Sequence, residues 1–259
     1  MEPQALYQAW KQEEDAARMS GWDFSHIRGR YEEGRDLPWS YDAVVRQYLA
    51  GGLQLLDQDT GGGEYLLSLG HPYANTAATE GWPPNVALCR KRLEPLGIRF
   101  AFCDNPAAVP FPDGAFDLVL NRHGAYAPGE LYRLLRPGGV FITQQVGADN
   151  ERDLVQRVLP GLKRPFPAQT LGRQRRAFGQ AGFALLRAEE YRGAIRFYDV
   201  GAFVWFARVI EWEFEGFSVD RCFDALLGMQ REIEQTGVVE GTTHRFLLVA
   251  QKTSGTGAP

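Results

Sequence analysis

The chain has 259 residues, of which 44% are hydrophobic and 23% are charged, and its formal net charge is −4 at pH 7. These values are typical of a globular protein with a sizeable core, and they exclude a strong overall attraction to nucleic acid or to an anionic membrane. The apolar runs are too short to span a bilayer, and the N-terminal stretch does not resemble a secretory signal. Three widely separated cysteines, Cys89, Cys103 and Cys222, indicate buried thiols and a cytoplasmic location rather than disulfides or a metal site.

The first forty residues predict a separate helical segment that is rich in aromatic side chains and that could act as a lid. Ser40 is the predicted N-cap of a helix that ends at Leu49. Strand patterns and helical patterns then alternate, which is typical of βαβ units and a parallel sheet. The predicted strands are residues 54–57, 77–80, 99–103, 117–120 and 140–146, and the predicted helices are residues 64–69, 85–96 and 129–135.

After residue 146 the pattern changes. A helix is predicted over residues 169–181, followed by a stop at Gly182 and a strand over residues 183–191. Helices over residues 200–212 and 219–235 predict a helical cap insertion at about 192–237, before a last strand at 244–250. The domain prediction is therefore an N-terminal segment (1–40), a main domain (41–252) with this insertion, and a tail (253–259) whose composition predicts disorder.

The most informative motif is the stretch LQLLDQDTGGGEYLL, residues 53–67. An apolar strand pattern ends at Asp57, passes through Gly61, Gly62 and Gly63, and continues as a helix pattern. Open α/β folds use this layout to hold a nucleoside cofactor, because glycine permits a sharp turn and a close approach of the backbone to a ligand. Glu80 follows Gly61 by 19 residues, at the end of the next strand, where a carboxylate binds ribose hydroxyls.

Several motifs together carry a resemblance to a known family. They are LLDQDTGGGE at 55–64, TEG at 79–81, the acid of FCD at 104, PFPDGAFDLVLNRH at 110–123 and LYRLLRPGGVFITQQV at 131–146. In these motifs the chain resembles the class I S-adenosylmethionine-dependent methyltransferases of the broad type-11 group, and it is most similar to a subgroup with a WDFS-type N-terminal segment. The resemblance covers essentially the whole chain.

The resemblance implies an α/β, Rossmann-like fold with a seven-stranded sheet, its last strand antiparallel, and helices on both faces. It implies S-adenosyl-L-methionine as the cofactor, bound at the carboxyl ends of the strands. Asp57 and the loop Gly61, Gly62 and Gly63 are expected at the methionine part. Glu80, with Gly81 beside it, is expected at the ribose, and Asp104 at the adenine amino group. Asn121, Arg122 and His123 are expected to line the floor next to the methyl group.

One position departs from the family pattern. The pattern is Asp-x-Gly-x-Gly-x-Gly, and Asp59 stands where the first glycine belongs. Its carboxylate is expected to repel the methionine carboxylate, to pair with the methionine ammonium group, or to weaken cofactor binding. Asp59 also argues against a nicotinamide site, because a carboxylate in the loop opposes a pyrophosphate and because Leu66 occupies the third glycine position of GxGxxG.

The proposed reaction assigns further roles. His123, after the fourth strand, is the best candidate for a general base, and Tyr126 lies in the same neighbourhood; the simpler interpretation of His123 is a hydrogen-bonded loop histidine. Arg28 and Arg30, in the N-terminal segment, are candidates to meet the methionine carboxylate. The oligomeric state is not predicted.

We expect methyl transfer to a small-molecule acceptor held between the N-terminal segment and the cap insertion. Two other functions stay open at this stage. An RNA or protein methyltransferase would use the basic stretch 152–187, which carries eight basic residues up to Arg187 against the single acid Asp153. A protein that binds the cofactor without turnover would follow if Asp59 disrupts the site.

Overall fold

The computed structural model describes residues 2–18, 23–34 and 36–253. The tail from residue 254 onward, predicted to be disordered, lies outside the described residues. Two compact units are present. The helical unit comprises residues 1–37, 148–167 and 191–244, and the sheet unit comprises residues 38–147, 168–190 and 245–259.

The structure contains helices and strands in alternation, and their bounds are as follows. The strands are β1 (Tyr31–Glu33), β2 (Leu55–Gln58), β3 (Thr76–Glu80), β4 (Arg99–Phe102), β5 (Phe116–Arg122), β6 (Leu135–Val146), β7 (Phe183–Phe197) and β8 (Val239–Lys252). The helices are α1 (Pro3–Ala16), α2 (Tyr41–Tyr48), α3 (Glu64–Ser68), α4 (Pro83–Arg92), α5 (Pro128–Leu134), α6 (Arg152–Val158), α7 (Leu171–Gln180), α8 (Val200–Val209) and α9 (Val219–Thr236). Among the described helices, none is both long and apolar enough to cross a membrane.

The strands form an eight-stranded sheet in the order β1-β7-β8-β6-β5-β2-β3-β4. Strands β2 to β6 pair in parallel with their neighbours, whereas β8 runs antiparallel to β6. The predicted α/β fold with an antiparallel last strand is confirmed. The strand count exceeds the predicted seven because the short β1 pairs with β7.

Strand order reverses at β2, which has β3 on one side and β5, a later strand, on the other. In an open parallel sheet, such a switch point leaves a crevice outside the carboxyl ends of the strands, because the connections on either side leave in opposite directions. The glycine motif follows β2 directly, so the chain places it at this crevice.

The predicted and observed elements differ at several of their ends, for example at the start of β6 and of β8, and also in the following places. Helix α4 ends at Arg92, and a separate 3₁₀ turn covers Glu94–Leu96, because Pro95 cannot continue the hydrogen bonding of an α-helix. Helix α6 was not predicted, since it has only seven residues and begins with charged ones. Strand β7 continues to Phe197, so residues 192–197 of the predicted helical insertion are extended.

In the helical unit, the N-terminal segment and the insertion share one hydrophobic core. Leu6 and Trp10 of α1 are 4% and 3% exposed and belong to the same buried cluster as Phe203 and Trp205 of α8. Most of the aromatic side chains that suggested a lid in the N-terminal segment therefore pack in this core. One polar groove of about 520 Å³ remains between the two segments; its lining includes Glu14, Arg18 and Arg208.

Candidate functional site

The loop between β2 and α3 has the conformation that its sequence predicts. Gly61 and Gly63 have φ angles of +64° and +80°, in the left-handed region that residues with a Cβ atom disfavour. Three backbone N–H groups connect the loop to β3, those of Asp59, Thr60 and Gly61. That of Thr60 donates to the Thr79 carbonyl at 3.0 Å, and that of Gly61 donates to Glu80 Oε2 at 2.8 Å.

Glu80 is only 3% exposed, and both of its carboxylate oxygens accept two hydrogen bonds. Oε1 accepts from the backbone N–H groups of Gly81 and Trp82, each at 2.9 Å. Oε2 accepts from the Gly61 N–H and, at 3.3 Å, from Asn85 Nδ2. A carboxylate has about four lone-pair positions, so Glu80 is close to saturated and holds the glycine loop against the start of α4.

A pocket of about 400 Å³ opens beside this loop. Its walls come from the carboxyl ends of β2, β3 and β4 and from the loop after β5, and they include Gln58, Asp59, Glu80, Trp82, Asp104 and Ala125. Three of these side chains are acidic, and none of the described residues that line the pocket is basic. The pocket therefore favours cationic or uncharged ligands and opposes phosphates.

Asp59 is one of the residues that line the pocket, and its φ angle is 60°. Its backbone N–H donates to Thr79 Oγ1 at 3.3 Å, and its carboxyl accepts from the Ala125 N–H and contacts the carboxyl of Glu80. The surrounding protein restricts hydration of Asp59, and this, together with Glu80, raises the pKa of its carboxyl to about 6.

Asp57, in β2, is 5% exposed and accepts a 2.6 Å hydrogen bond from the Thr60 hydroxyl. Burial raises the pKa of Asp57 to about 6, although the Thr60 bond and the positive charge of Arg122 act in the opposite direction. The Arg122 guanidinium lies 5.0 Å from the ring centroid of Tyr65 and 6.0 Å from that of Tyr41. Asp57 is thus bonded to the glycine loop through Thr60, and its expected contact with the methionine part stays a prediction.

The residues after β5 have different surroundings from one another. Asn121 is fully buried, and its side chain is bonded to Gln58, Thr143 and Gln145, so it supports the strands instead of lining the pocket. His123 has φ = 64° and belongs to the exposed residues. Burial of its imidazole by the surrounding protein, with the charges of Arg245 and Arg122, lowers the pKa of that ring to about 3, so the ring is neutral at pH 7 but a weaker base than an ordinary histidine.

Tyr126 has a position that argues against its predicted catalytic role. Its ring packs at 5.2 Å from Phe141 and 5.8 Å from Phe178, both fully buried. Its hydroxyl is buried, with no hydrogen-bond partner among the described residues, and burial raises its pKa. The aromatic ring is core packing.

Arg28 and Arg30 both belong to the helical unit. Arg30 donates from Nε and Nη2 to the two oxygens of Asp199, each at 2.8 Å, and also to Glu13 at 2.7 Å. These bonds give Arg30 a structural role that replaces the predicted contact with a cofactor carboxylate. Arg28 is exposed, and its backbone forms a bridge with Tyr31.

Sequence reasoning missed several residues that line the pocket, and two of them carry polar or aromatic groups of interest, Trp82 and Gln58. Trp82 is 58% exposed, which is unusual for an indole, and it lies next to Glu80 in the pocket wall. Gln58 is 3% exposed, and its Oε1 atom is buried without a partner among the described residues. The position of Trp82 directly after the TEG motif was a usable signal, whereas Gln58 sits in an apolar strand pattern and carried none.

Comparison with known proteins identifies the family. Residues 56–143 match the profile of a methyltransferase domain. The chain is 34% identical over 163 residues to the demethylmenaquinone methyltransferase of Thermus thermophilus, covering 54% of this chain and 74% of that protein. It is 31% identical over 121 residues to the phthiotriol/phenolphthiotriol dimycocerosates methyltransferase of Mycobacterium tuberculosis, covering 43% of this chain and 44% of that one.

Solved structures show the same fold. A candidate methyltransferase from Bacillus halodurans C-125 has a TM-score of 0.56 at 17% identity and covers 85% of this chain and all (100%) of that one. The YcgJ protein of Bacillus subtilis has a TM-score of 0.55 at 15% identity, with 83% and 98% coverage. From the glycine loop, the sheet topology and the identity to the Thermus enzyme, we conclude that the chain belongs to the class I S-adenosylmethionine-dependent methyltransferases.

Proposed function

We propose that the chain transfers a methyl group from S-adenosyl-L-methionine to a small-molecule acceptor and binds this cofactor in the pocket beside the glycine loop. The acidic lining of the pocket is the observation that carries the proposal. S-Adenosylmethionine has a sulfonium cation and no phosphate, so its charge complements Asp59, Glu80 and Asp104. The buried Oε1 atom of Gln58, unpartnered among the described residues, supports the fit, because a bound ligand would supply the hydrogen-bond donor that it lacks.

The pocket offers a distinct contact for each part of the cofactor. The exposed indole of Trp82 provides a face on which adenine can stack, and Asp104 lies beside it as an acceptor for an exocyclic amine. Glu80 is proposed at the ribose. Because its oxygens already accept four hydrogen bonds, a ribose hydroxyl displaces the longest of them, from Asn85 at 3.3 Å.

The chemistry asks little of the protein beyond alignment. When bound, the cofactor supplies a methyl group on a sulfonium, which is already a good leaving group. The chain's residues have to hold donor and acceptor in line and exclude water. His123, neutral at pH 7, is proposed to accept a proton from an acceptor that must lose one, and Tyr126 is removed from this role by its burial.

The acceptor is proposed to be a small molecule because the Thermus relative is, by its name, a methyltransferase of demethylmenaquinone. Demethylmenaquinone is therefore the first acceptor to test. The basic stretch 152–187 gives the alternative RNA function less support than its composition suggested, because three of its arginines form ion pairs. The pairs are Arg157 with Glu232, Arg164 with Asp149, and Arg187 with Glu189. Ion pairing of this kind reduces the positive charge that a polyanion would meet.

Two measurements test the proposal. Isothermal titration with S-adenosylmethionine and S-adenosylhomocysteine is expected to show saturable binding that Trp82→Ala weakens by about tenfold, since stacking of a base on an aromatic ring contributes roughly 1–3 kcal/mol. Transfer of a labelled methyl group to demethylmenaquinone is then expected with the parent chain. Absence of binding would refute the function; binding without transfer to demethylmenaquinone or to other small molecules would favour the version without turnover.

A further inference from the structure

We propose that Asp59 and Gln58 together form a binding site for the primary ammonium group of the cofactor's methionine part. The inference rests on the proposed function and assigns a positive role to Asp59, which stands where the family pattern has glycine. Gln58 is the last residue of β2 and directly precedes Asp59, so the two side chains are contributed by consecutive residues.

Both side chains are oriented by the same backbone residue. Gln58 Nε2 donates to the Ala125 carbonyl at 3.3 Å, and the Ala125 N–H donates to the Asp59 carboxyl. This arrangement leaves Gln58 Oε1, which is buried without a partner among the described residues, and the Asp59 carboxylate as acceptors in one pocket wall. An amide oxygen next to a carboxylate is a site for a group that only donates.

The space for Asp59 is part of the fold. A Cβ atom on Gly124 would lie 2.4 Å from Asp59 Oδ2 and 2.6 Å from Asp59 Cβ. Only glycine at position 124 therefore allows Asp59 to keep this orientation.

The ligand group is an ammonium because of charge and donor number. A carboxylate placed here would meet Asp59 and Glu80, with no basic side chain among the described lining residues to offset the repulsion. An ammonium group has three N–H donors and a positive charge. Glu80 does not compete for it, because its oxygens already accept four hydrogen bonds within the loop.

A pair of ligands isolates this contact. S-Adenosylhomocysteine carries the ammonium group, and its deamino analogue, in which hydrogen replaces the amino group, does not. We expect Asp59→Asn to weaken S-adenosylhomocysteine by about tenfold to a hundredfold, as charge-assisted hydrogen bonds predict, and not to weaken the deamino analogue, whose carboxylate loses a repulsive neighbour. Asparagine keeps the shape of the side chain and tolerates a left-handed backbone, so the loop is preserved. Gln58→Met is expected to act in the same ligand-selective way, with a smaller factor because an amide is uncharged.

Two matched variants serve as controls. Asp104→Asn removes another acid of the same pocket and should weaken both ligands by the same factor, since both carry adenine. Asp113→Asn, at an exposed side chain paired with Arg133 outside the pocket, should change neither.

Three results would decide against the site. If Asp59→Asn weakens both ligands equally, Asp59 acts on the adenosine part; if it strengthens S-adenosylhomocysteine, Asp59 repels the cofactor. If the parent binds neither S-adenosylmethionine nor S-adenosylhomocysteine, the proposed function itself fails. Thermal unfolding of each variant shows whether it folds, and Asp59→Gly, which relieves the left-handed backbone, repeats the comparison should Asp59→Asn be unstable.

Discussion

Replacing Glu80 by glutamine tests whether this residue holds the glycine loop in place, independently of any ligand. The carboxylate accepts two hydrogen bonds at each oxygen, from Gly81, Trp82, Gly61 and Asn85. Glutamine keeps one carbonyl oxygen but presents an NH₂ group to the donors on the other side. Two donors then lose their acceptor within a buried site, where each unsatisfied polar group costs about 1–3 kcal/mol.

We therefore expect Glu80→Gln to lower the free energy of unfolding by about 2–4 kcal/mol, allowing for relief of the contact between Glu80 and Asp59. For a chain of this size the corresponding fall in Tm is roughly 5–15 °C. Thermal and urea unfolding without ligand measure both quantities. Asp104→Asn is the matched control, since Asp104 is exposed, and its replacement should change stability by no more than about 0.5 kcal/mol. An unfolding midpoint equal to that of the parent would show that the hydrogen bonds of Glu80 do not hold the glycine loop in place.

Three further predictions concern Asp59, Tyr126 and Arg30. The affinity of the parent for S-adenosylhomocysteine should fall as the pH drops through about 6, because protonation of Asp59 removes the charge that the ammonium group needs. Asp59→Asn should reduce this pH dependence and leave only the part due to Asp57. If titrations from pH 5 to 8 give the same profile for the variant and the parent, the prediction is wrong. Tyr126→Phe should keep the stability and turnover of the parent, since the lost hydroxyl has no partner among the described residues, whereas a large loss of turnover would restore its catalytic role. Arg30→Ala should lower the free energy of unfolding by about 1–2 kcal/mol while the cofactor Kd stays constant, because Arg30 bonds Asp199 and Glu13; a weakened Kd would support the original assignment.

The pH dependence of stability has a sign that follows from the same pKa values. The carboxyls of Asp57 and Asp59 have pKa values of about 6 in the folded chain, above the value of 3.8 for a free aspartate. Between pH 4 and 6 the folded state therefore binds more protons than the unfolded state. These two groups should make the ligand-free chain more stable as the pH falls from 7 towards 4, which is opposite to the behaviour of ion-paired carboxylates.

Local pattern was sufficient for the elements around the site. Ser40 accepts from the Ala43 N–H as the N-cap of α2, and the strands before Asp57 and at Glu80 lie where alternation of apolar and turn residues predicted them. Such features depend on residues a few positions apart, so periodicity and capping signals are enough to locate them. Helix α6 was not predicted because its seven residues form less than two turns of a helix, which is too short for a helical pattern to be recognised.

Contacts between residues that are distant in the chain could not be predicted from local sequence patterns. Arg30 pairs with Asp199, 169 residues away, so a position among arginines and aromatics gave no sign of it. The ring of Tyr126 packs in the core against Phe178, which belongs to the later helix α7. In both cases, residue type suggested a functional role, and the contacts formed on folding gave a structural one.

The one-dimensional pattern was enough to establish the fold class, the position of the glycine loop and the acid at the end of the next strand, because backbone preferences and the two kinds of periodicity act locally. Tertiary packing decided how the polar atoms are used: which donors the oxygens of Glu80 accept from, that the amide oxygen of Gln58 has no partner among the described residues, and where Asp59 finds room beside Gly124. The free energy of a buried polar group depends on the hydrogen-bond partner that lies next to it in the folded chain. That partner is set by three-dimensional proximity rather than by sequence spacing.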